Sequence, residues 1–260
     1  MAGTEGIQAV YQLGVSCQMG LHRSNNEDNF FFNGMYKPLE LADTPYHLPG
    51  RAEGRAVLAV CDGMGGDSYG EYAAWVAASG LSALDQEHVA PEQVLACTQQ
   101  LNEKICREAE RRRCRMGSTL VLAVLDGNRA AVYNLGDSRA YLCSGGQLTQ
   151  LSQDHTVEQS LRSMGVSGAN SRSAQQLTQH LGMAQEEFIL EPYHTEVTMA
   201  PGDRLLLCSD GLTGQLSDQQ IAWLLADDAP PDIQALRLTR EAEQRGGSDN
   251  ITALVAALAP

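Results

Sequence analysis

Carboxylate side chains recur in four short stretches of the sequence, each where a strand is expected to meet a turn. The stretches are Asn26-Glu27-Asp28, Asp62-Gly63-Met64-Gly65-Gly66, Ser209-Asp210-Gly211 and Ser248-Asp249-Asn250. A carboxylate at the rim of an apolar core is unfavourable unless it is paired or binds a metal. Two such charges about 4 Å apart repel by roughly 4 kcal/mol at an effective dielectric of about 20. Divalent cations would turn this repulsion into attraction, so the pattern predicts a metal site. Taken singly, each aspartate has an alternative interpretation as a turn former.

The overall charge restricts the partners of the protein. The chain has 260 residues and a formal net charge of −14. This length suffices for one large domain or two small ones, and because no internal repeat or linker is evident, residues 1–260 are expected to form a single domain. A surface this acidic argues against nucleic acid and anionic membrane as partners. A phosphate-bearing substrate must therefore be attracted by local cations rather than by the overall field.

The cysteines indicate the compartment. There are seven of them, without CxxC spacing, so neither a disulfide framework nor a zinc site is expected. No signal peptide is recognised in residues 1–20, and no apolar stretch reaches the ~18 residues of a membrane span. The sequence therefore predicts a cytoplasmic protein without a membrane anchor.

Short β segments and four longer helical segments alternate along the chain. Strands are predicted over residues 8–17, 30–32, 55–61, 118–125, 130–135, 139–143, 147–151, 188–198, 204–208 and 250–257. Helices are predicted over 68–87, 91–112, 217–227 and 231–245, with a short helix inside 155–185. Residues 33–54 contain Pro38, Pro45 and Pro49 and lack a clear period, which predicts a loop or insertion. Blocks of strands with helix pairs beside them favour two stacked antiparallel sheets flanked by helices.

Seven motifs in order then identify a family resemblance that covers residues 10–256. They are Arg23-Ser24-Asn25-Asn26-Glu27-Asp28, Asp62-Gly63-Met64-Gly65-Gly66, Gly117-Ser118-Thr119, Gly136-Asp137-Ser138-Arg139-Ala140, Asp154-His155-Thr156, Ser209-Asp210-Gly211-Leu212 and Gly247-Ser248-Asp249-Asn250-Ile251-Thr252. The chain resembles the metal-dependent serine/threonine protein phosphatases of type 2C, the PPM family, in their compact bacterial form. The resemblance implies an α+β fold, a four-layer α-β-β-α sandwich, with two Mn²⁺ or Mg²⁺ ions in a cleft at one end of the sheets.

The resemblance also implies roles for individual residues. Asp62 is similar to the carboxylate that bridges both metals, and the carbonyl of Gly63 to a ligand of one of them. Asp210 and Asp249 resemble the carboxylates that complete the other metal, and an all-oxygen ligand set suits hard cations. Glu27 is expected to reach a metal through water.

Three further residues, Arg23, Asp28 and Asp137, each have an alternative interpretation. Arg23 resembles the arginine that binds the substrate phosphate, with an ordinary surface arginine as the alternative. Asp28 is expected in the outer shell of the metals, and Asp137 at a possible third, weakly bound metal; either could be only a turn residue. Gly214 stands where relatives often carry Asp or Asn, so that third site is in doubt. His155 is expected to be structural rather than catalytic.

The function implied by the resemblance is hydrolysis of phosphoserine and phosphothreonine in proteins by a two-metal-activated water, with Asp62 and Arg23 as the catalytic residues. Such an enzyme would reverse a serine/threonine kinase in bacterial signalling and would act as a monomer on a phosphoprotein substrate. Substrate choice is expected in the segment 156–185, as a mobile flap beside the cleft. The alternatives are a metal-dependent hydrolase of small phosphoesters and an inactive PPM-like regulatory domain.

Overall fold

The computed structural model describes residues 9–65, 69–84, 89–165, 172–184 and 189–259. Two antiparallel sheets make up its centre. The first sheet has the strand order β10-β9-β12-β13-β1-β4. Its strands are β1 (Val10–Gln18), β4 (Tyr46–Glu53), β9 (Arg139–Ser144), β10 (Gln147–Gln150), β12 (Arg204–Cys208) and β13 (Ile251–Leu258).

The second sheet has the strand order β11-β8-β7-β5-β2-β3, and the short strand β6 pairs with β5. Its strands are β2 (Asp28–Phe32), β3 (Met35–Tyr36), β5 (Arg55–Met64), β6 (Gly117–Ser118), β7 (Leu120–Asp126), β8 (Arg129–Leu135) and β11 (Tyr193–Thr198). The two central strands of each sheet, β12 and β13 in the first and β5 and β7 in the second, are almost fully buried, which explains their near-continuous apolar sequences.

Helices cover the outer face of each sheet. They are α1 (Gly70–Gly80), α2 (Pro91–Arg112), α4 (Asp210–Thr213), α5 (Asp218–Leu225) and α6 (Pro231–Gln244), whereas α3 (Val157–Ser163) has no buried residue. Apolar residues of α1 and α2 form one buried cluster with the second sheet, and those of α4, α5 and α6 form another with the first sheet. A third cluster lies between the sheets, where Leu13 and Val15 pack with Phe30, Leu58 and Val60. The molecule is therefore the four-layer α-β-β-α sandwich that the sequence predicts.

The prediction of a loop over residues 33–54 is wrong at Met35–Tyr36, which form β3, and over residues 46–53. Residues Tyr46–Glu53 form β4, which pairs antiparallel with β1 at the edge of the first sheet. An edge strand tolerates proline, because one side of it needs no ladder partner, and Pro49 lies opposite Gly14 in the register. Residues along β4 alternate between exposed and more buried, but its apolar residues are too few for that period to show in the sequence.

Other element boundaries shift by a few residues. The α-helix predicted over 68–87 covers Gly70–Gly80 and continues as a 3-10 helix over Leu81–Ala83. Strand β11 begins at Tyr193 rather than at 188. Parts of several predictions lie outside the described residues. These are residues 8 and 188 at the starts of two predicted strands, residues 68 and 85–87 at the ends of the first predicted helix, Gly66 of the glycine turn, and residues 166–171 and 185 of the expected flap.

Two properties of the described chain bear on its setting. No helix in the described ranges is both long and apolar enough to cross a lipid bilayer. Five cysteines are buried as free thiols in the apolar layers, where they act as small hydrophobic residues. They are Cys17, Cys61, Cys97, Cys143 and Cys208.

Candidate metal centre

Asp28 and Asp62 are directly opposite each other where β2 and β5 meet at one end of the second sheet. The Oδ2 atom of Asp28 accepts hydrogen bonds from Ser209 Oγ and Thr252 Oγ1, each 2.7 Å long. Thr252 lies in β13 of the first sheet and Ser209 directly follows β12, so Asp28 joins the sheets at this end. Its Oδ1 atom is buried and receives no hydrogen bond from any described residue.

Thr119 holds the backbone of Asp62. The amide of Asp62 donates to Thr119 Oγ1 at 3.0 Å, and the amide of Thr119 donates to the carbonyl of Asp62 at 2.8 Å. The hydroxyl of Thr119 also lies 2.7 Å from Ser138 Oγ, the residue after Asp137. The motif at residues 117–119 therefore links the Asp62 turn to the Asp137 turn.

Gly63 lies where three backbone segments meet, and no larger residue fits there. Its amide donates to the carbonyl of Glu27 at 3.1 Å, and a Cβ atom at this position would stand 2.0 Å from the carbonyl oxygen of Gly70. A Cβ at Gly70 would in turn meet Glu27 Oε1 at 2.4 Å. The paired glycines thus allow Asp62, Glu27 and the start of α1 to approach one another.

The start of α1 is itself in an unusual conformation. Tyr69 has φ +81°, in the left-handed region that non-glycine residues seldom adopt. Its ring lies under the guanidinium of Arg112, 4.9 Å from the ring centroid. Arg112 therefore stabilises, from the outer side, the turn at Tyr69 and Gly70 that packs against Gly63.

Asp210 and Asp249 lie at the same end of the first sheet. Asp210 follows β12, Asp249 precedes β13, and these strands pair antiparallel. Gly211 allows the segment after β12 to approach the segment before β13, because a Cβ there would stand 2.0 Å from the carbonyl oxygen of Asn250. The Oδ1 atom of Asp210, like that of Asp28, is buried and has no hydrogen-bond partner among the described residues.

Asn250 ties the first carboxylate stretch to the last, and sequence reasoning missed this role. Its side-chain oxygen accepts from the amide of Glu27 at 2.8 Å. Its side-chain amide donates to the carbonyls of Met19 and Asn25, each at 2.9 Å. Its place beside Asp249 in the last motif was the available signal.

The carboxylates raise one another's pKa values, in each case after burial as the largest cause. The pKa of Asp62 lies well above its usual value through burial and then through Asp28, Asp210, Asp137 and Asp249. Burial, followed by Asp210, raises the pKa of Asp137 to about 7. The pKa of Asp28 rises to about 7 through burial, although the hydroxyls of Thr252 and Ser209 and the ammonium of Lys37 act in the opposite direction. The predicted concentration of negative charge is therefore present.

In the described residues, no three His, Cys, Asp or Glu side chains are arranged so that together they could hold one metal ion. Asp249 instead places its Oδ2 atom 2.6 Å from Arg23 Nη2. A hydrated Mg²⁺-type ion takes only one or two carboxylates and keeps its remaining ligands as water. The unpartnered oxygens of Asp28 and Asp210 and the tight turn at Gly63 fit a centre of that kind.

Two arginines near these carboxylates are arranged differently. Arg23 is exposed at the mouth of the site, paired with Asp249 and 3.8 Å from Glu27 Oε2. Arg139 instead binds Asp154 through several hydrogen bonds, and that contact raises its pKa against the effect of burial. Arg23 is thus the cation placed to meet a phosphate.

His155 has a structural position, in agreement with the sequence interpretation. Its Nδ1 atom accepts a hydrogen bond from the amide of Gly136 at 3.2 Å. Burial lowers its pKa, which keeps the ring neutral. The ring therefore supports the turn before Asp137.

Two cysteine–arginine pairs have five residues between them, the spacing found in cysteine-dependent phosphatases: Cys17 with Arg23 and Cys106 with Arg112. Cys17 is buried within β1, and Cys106 lies inside α2, where its thiol faces the carbonyl of Met183 at 3.3 Å. Burial also raises the pKa of Cys106, which disfavours the thiolate. Neither cysteine lies in a phosphate-binding loop.

Comparison with known proteins agrees with this geometry. The family model described as Protein phosphatase 2C matches residues 46–255. The serine/threonine protein phosphatase PstP of Mycobacterium tuberculosis is 31% identical over 260 residues, which cover 96% of this chain and 45% of PstP. Protein phosphatase PhpP of Streptococcus pneumoniae is 31% identical over 253 residues, which cover 93% of this chain and 95% of PhpP.

A solved structure of the catalytic domain of PstP, in complex with 2 manganese ions, superposes with a TM-score of 0.77 at 30% identity and covers 97% of this chain and 100% of that one. The chain spans about half the length of PstP and nearly all of PhpP. Because the family model matches most of the chain, the protein belongs to the protein phosphatase 2C family.

Proposed function

We propose that this protein hydrolyses phosphoserine and phosphothreonine in proteins, with two Mn²⁺ or Mg²⁺ ions as cofactors. The observation that carries the proposal is the group of strand-end carboxylates from both sheets, whose pKa values rise together beside an exposed arginine. The similarity to PstP and PhpP, which are named as protein phosphatases, supports it.

The side chains of Asp62, Asp210 and Asp249 and the carbonyl of Gly63 are the ligands that would hold the two ions. Glu27 acts through water. When bound, the ions supply positive charge and activate a water for attack on phosphorus. Asp28 acts from the outer shell, where its bonds to Ser209 and Thr252 hold the two sheets together.

Arg23 binds the phosphate group of the substrate in this proposal. Its planar guanidinium matches two phosphate oxygens, and it is the described cation at the mouth of the site that has exposed surface to offer. Because it is paired with Asp249, substrate and metal binding must rearrange that contact. Asp137 marks the possible third, weaker metal.

The proposed setting follows the same reasoning. Residues 1–260 act as one catalytic domain, as a monomer in the cytoplasm, and oppose a serine/threonine kinase in bacterial signalling. The free, buried cysteines support a reducing compartment. An inactive regulatory domain is disfavoured because Asp62, Asp210 and Asp249 are all present.

The test is turnover of a phosphothreonine peptide by the full chain after exhaustive chelation, and again after Mn²⁺ is restored. We expect activity only with the metal, because without it the carboxylates repel and no activated water forms. Full activity in chelator would contradict the proposed mechanism. Faster turnover of small phosphorylated metabolites than of any phosphopeptide would favour the alternative, a hydrolase of small phosphoesters.

A further inference from the structure

A groove runs from the metal turn along the end of α2 and is lined partly by residues of the segment 156–185. Neither the proposed metal ligands nor Arg23 lies in it. Its volume is about 1050 Å³. At one end it is lined by Met64 and Gly65, which follow Asp62 and Gly63 in sequence. The groove therefore opens directly beside the candidate metal centre.

Two arginines give the groove a local positive charge. Arg113 and Arg115 line it and are exposed, and neither makes an ion pair with another described residue. Their neighbours Arg111 and Arg112 instead both form ion pairs with Glu108, at 2.7 Å and 3.2 Å.

The remaining ionisable residues of the lining do not cancel this charge. Glu110 is its acidic side chain among the described residues, and His180 also lines the groove. On a chain with a net charge of −14, two arginines without ion-pair partners beside one glutamate form a site for an anion.

The backbone at Arg113 shows that the turn itself does not require arginine. Arg113 ends α2 with φ +54°, a left-handed conformation for which glycine or asparagine is preferred. The amide of Cys114 then donates to the carbonyl of Ala109 and closes the turn. An arginine is strained in this conformation. We therefore attribute its presence to a role of the guanidinium side chain and not to a requirement of the turn.

The floor of the groove is apolar and rich in methionine. Met64, Met116 and Met183 all line it. Methionine side chains are unbranched and adapt to differently shaped partners. A floor of this kind suits an extended peptide of variable sequence better than one fixed small molecule.

From these observations we propose that the groove binds the polypeptide segment next to the phosphorylated residue of the substrate, and that Arg113 and Arg115 select acidic side chains in that segment. This inference rests on the proposed protein phosphatase activity. It assigns substrate preference to the end of α2 in addition to the segment 156–185.

The experiment compares two phosphothreonine peptides of equal length, one with aspartates on both sides of the phosphothreonine and one with alanines. Values of kcat/KM are measured with Mn²⁺ for the unmodified protein, for Arg113→Glu/Arg115→Glu, and for Arg107→Glu. Arg107 is the control, because it is an exposed arginine of the nearby helix α2 that does not line the groove.

We expect the unmodified protein to favour the acidic peptide by about tenfold, as charged contacts at a rim allow. The double variant should lose or invert this preference, and Arg107→Glu should keep it. The preference should also fall with rising salt, since the contacts are exposed.

Turnover of both peptides without a preference, or a preference that the double variant retains, would overturn the inference alone. Turnover of a small aryl phosphate with neither peptide hydrolysed would overturn both the inference and the proposed protein phosphatase activity. If Arg107→Glu loses the preference for the acidic peptide as the double variant does, the preference is a general charge effect. That result would also contradict the groove assignment.

Discussion

The guanidinium of Arg23 donates to the carboxylate of Asp249 across the mouth of the site, with Nη2 2.6 Å from Oδ2. The two residues are 226 positions apart in sequence, and each had a separate proposed role, one toward phosphate and one toward metal. An ion pair between them means that the two roles compete for the same contact. Arg23 also lies within 3.8 Å of Glu27, so its charge offsets part of the repulsion among the carboxylates.

Replacing Arg23 by alanine should weaken substrate binding more than the chemical step. A charge-assisted hydrogen bond contributes about 1.5–3 kcal/mol, so we expect KM for a phosphothreonine peptide to rise by about tenfold or more, with a smaller fall in kcat. The Mn²⁺ concentration for half-maximal activity should not rise, because Arg23 no longer competes with the metal for the Asp249 carboxylate. Steady-state kinetics at saturating and limiting Mn²⁺ measure both effects. Unchanged KM and kcat would identify Arg23 as an ordinary surface residue.

Replacing Asp62 by asparagine should separate stability from activity. The substitution removes a charge at the centre of the cluster with little change in volume. Both hydrogen bonds with Thr119 persist, because they involve the backbone amide and the backbone carbonyl of Asp62. We expect kcat to fall by orders of magnitude, while the metal-free protein melts at a higher temperature because repulsion with Asp28 and Asp210 is relieved. Asp228→Asn, at an exposed position, is the control and should change neither. A metal-free melting temperature that falls with Asp62→Asn would argue against electrostatic strain.

The metal-free protein should become less stable as pH rises through the range between the unfolded and folded pKa values of Asp28. That pKa is raised from 3.8 to about 7. Below the lower value the carboxyl is protonated in both states. Between the two values the unfolded chain releases its proton and the folded chain retains it, so rising pH favours unfolding.

Thermal melting of the chelated protein between about pH 5 and about pH 8 measures this effect. Asp28→Asn removes one titrating group and should make the dependence less steep, while Asp62 and Asp137, whose pKa values are also raised, still titrate. Added Mn²⁺ should raise the melting temperature more at the higher pH, because it binds the ionised carboxylates. A chelated protein whose stability rises over this range would contradict the assignment.

Much of the fold could be predicted because buried strands appear in the sequence as short apolar runs between turn residues. Strand β12 occupies the predicted residues 204–208, and α2 the predicted 91–112, since each is bounded by clear turn or proline signals. Strand β4 was missed because it lies at an edge, carries Pro49 and has few apolar residues.

The site was predicted as a set of residues but not as an arrangement. Motif order placed Asp62, Asp210 and Asp249 at strand ends, which pairing of β2 with β5 and of β12 with β13 then brings to one end of the sandwich. The pairing of Arg23 with Asp249 and the bridging bonds of Asn250 depend on contacts between distant segments. No local pattern in sequence encodes such contacts.

The close packing at Gly63 predicts that even a methyl group there is damaging. In Gly63→Ala the added carbon would stand 2.0 Å from the carbonyl oxygen of Gly70 and 2.7 Å from that of Glu27. Overpacking of this kind costs about 1–3 kcal/mol or more, and we expect Mn²⁺ binding to weaken with it. Gly214→Ala is the matched control: its nearest atom would be 3.1 Å away and its φ is −70°. Calorimetric titration and melting curves of both variants decide the point, and equal behaviour would contradict the packing argument.

The third metal site depends on Asp137 and on what stands at Gly214. Burial and then Asp210 raise the pKa of Asp137 to about 7, so a cation there would relieve a real repulsion. Gly214 lies one helical turn after Asp210, with its amide donating to the Asp210 carbonyl at 2.7 Å, and it offers no carboxylate. A site with one fewer anionic oxygen should be weak and only partly filled, since Mg²⁺-type ions give up water reluctantly.

Adding and removing carboxylates at these two positions tests the site directly. Gly214→Asp should lower the Mn²⁺ concentration for half-maximal activity, because φ −70° at this position suits an ordinary side chain and the new carboxylate adds favourable charge. Asp137→Ala should raise that concentration. The effects should couple, so that Gly214→Asp gives little benefit in the Asp137→Ala background. Metal titrations of the original chain, both single variants and the double variant measure the coupling. Four identical curves would show that Asp137 is only a turn residue and that two metals suffice.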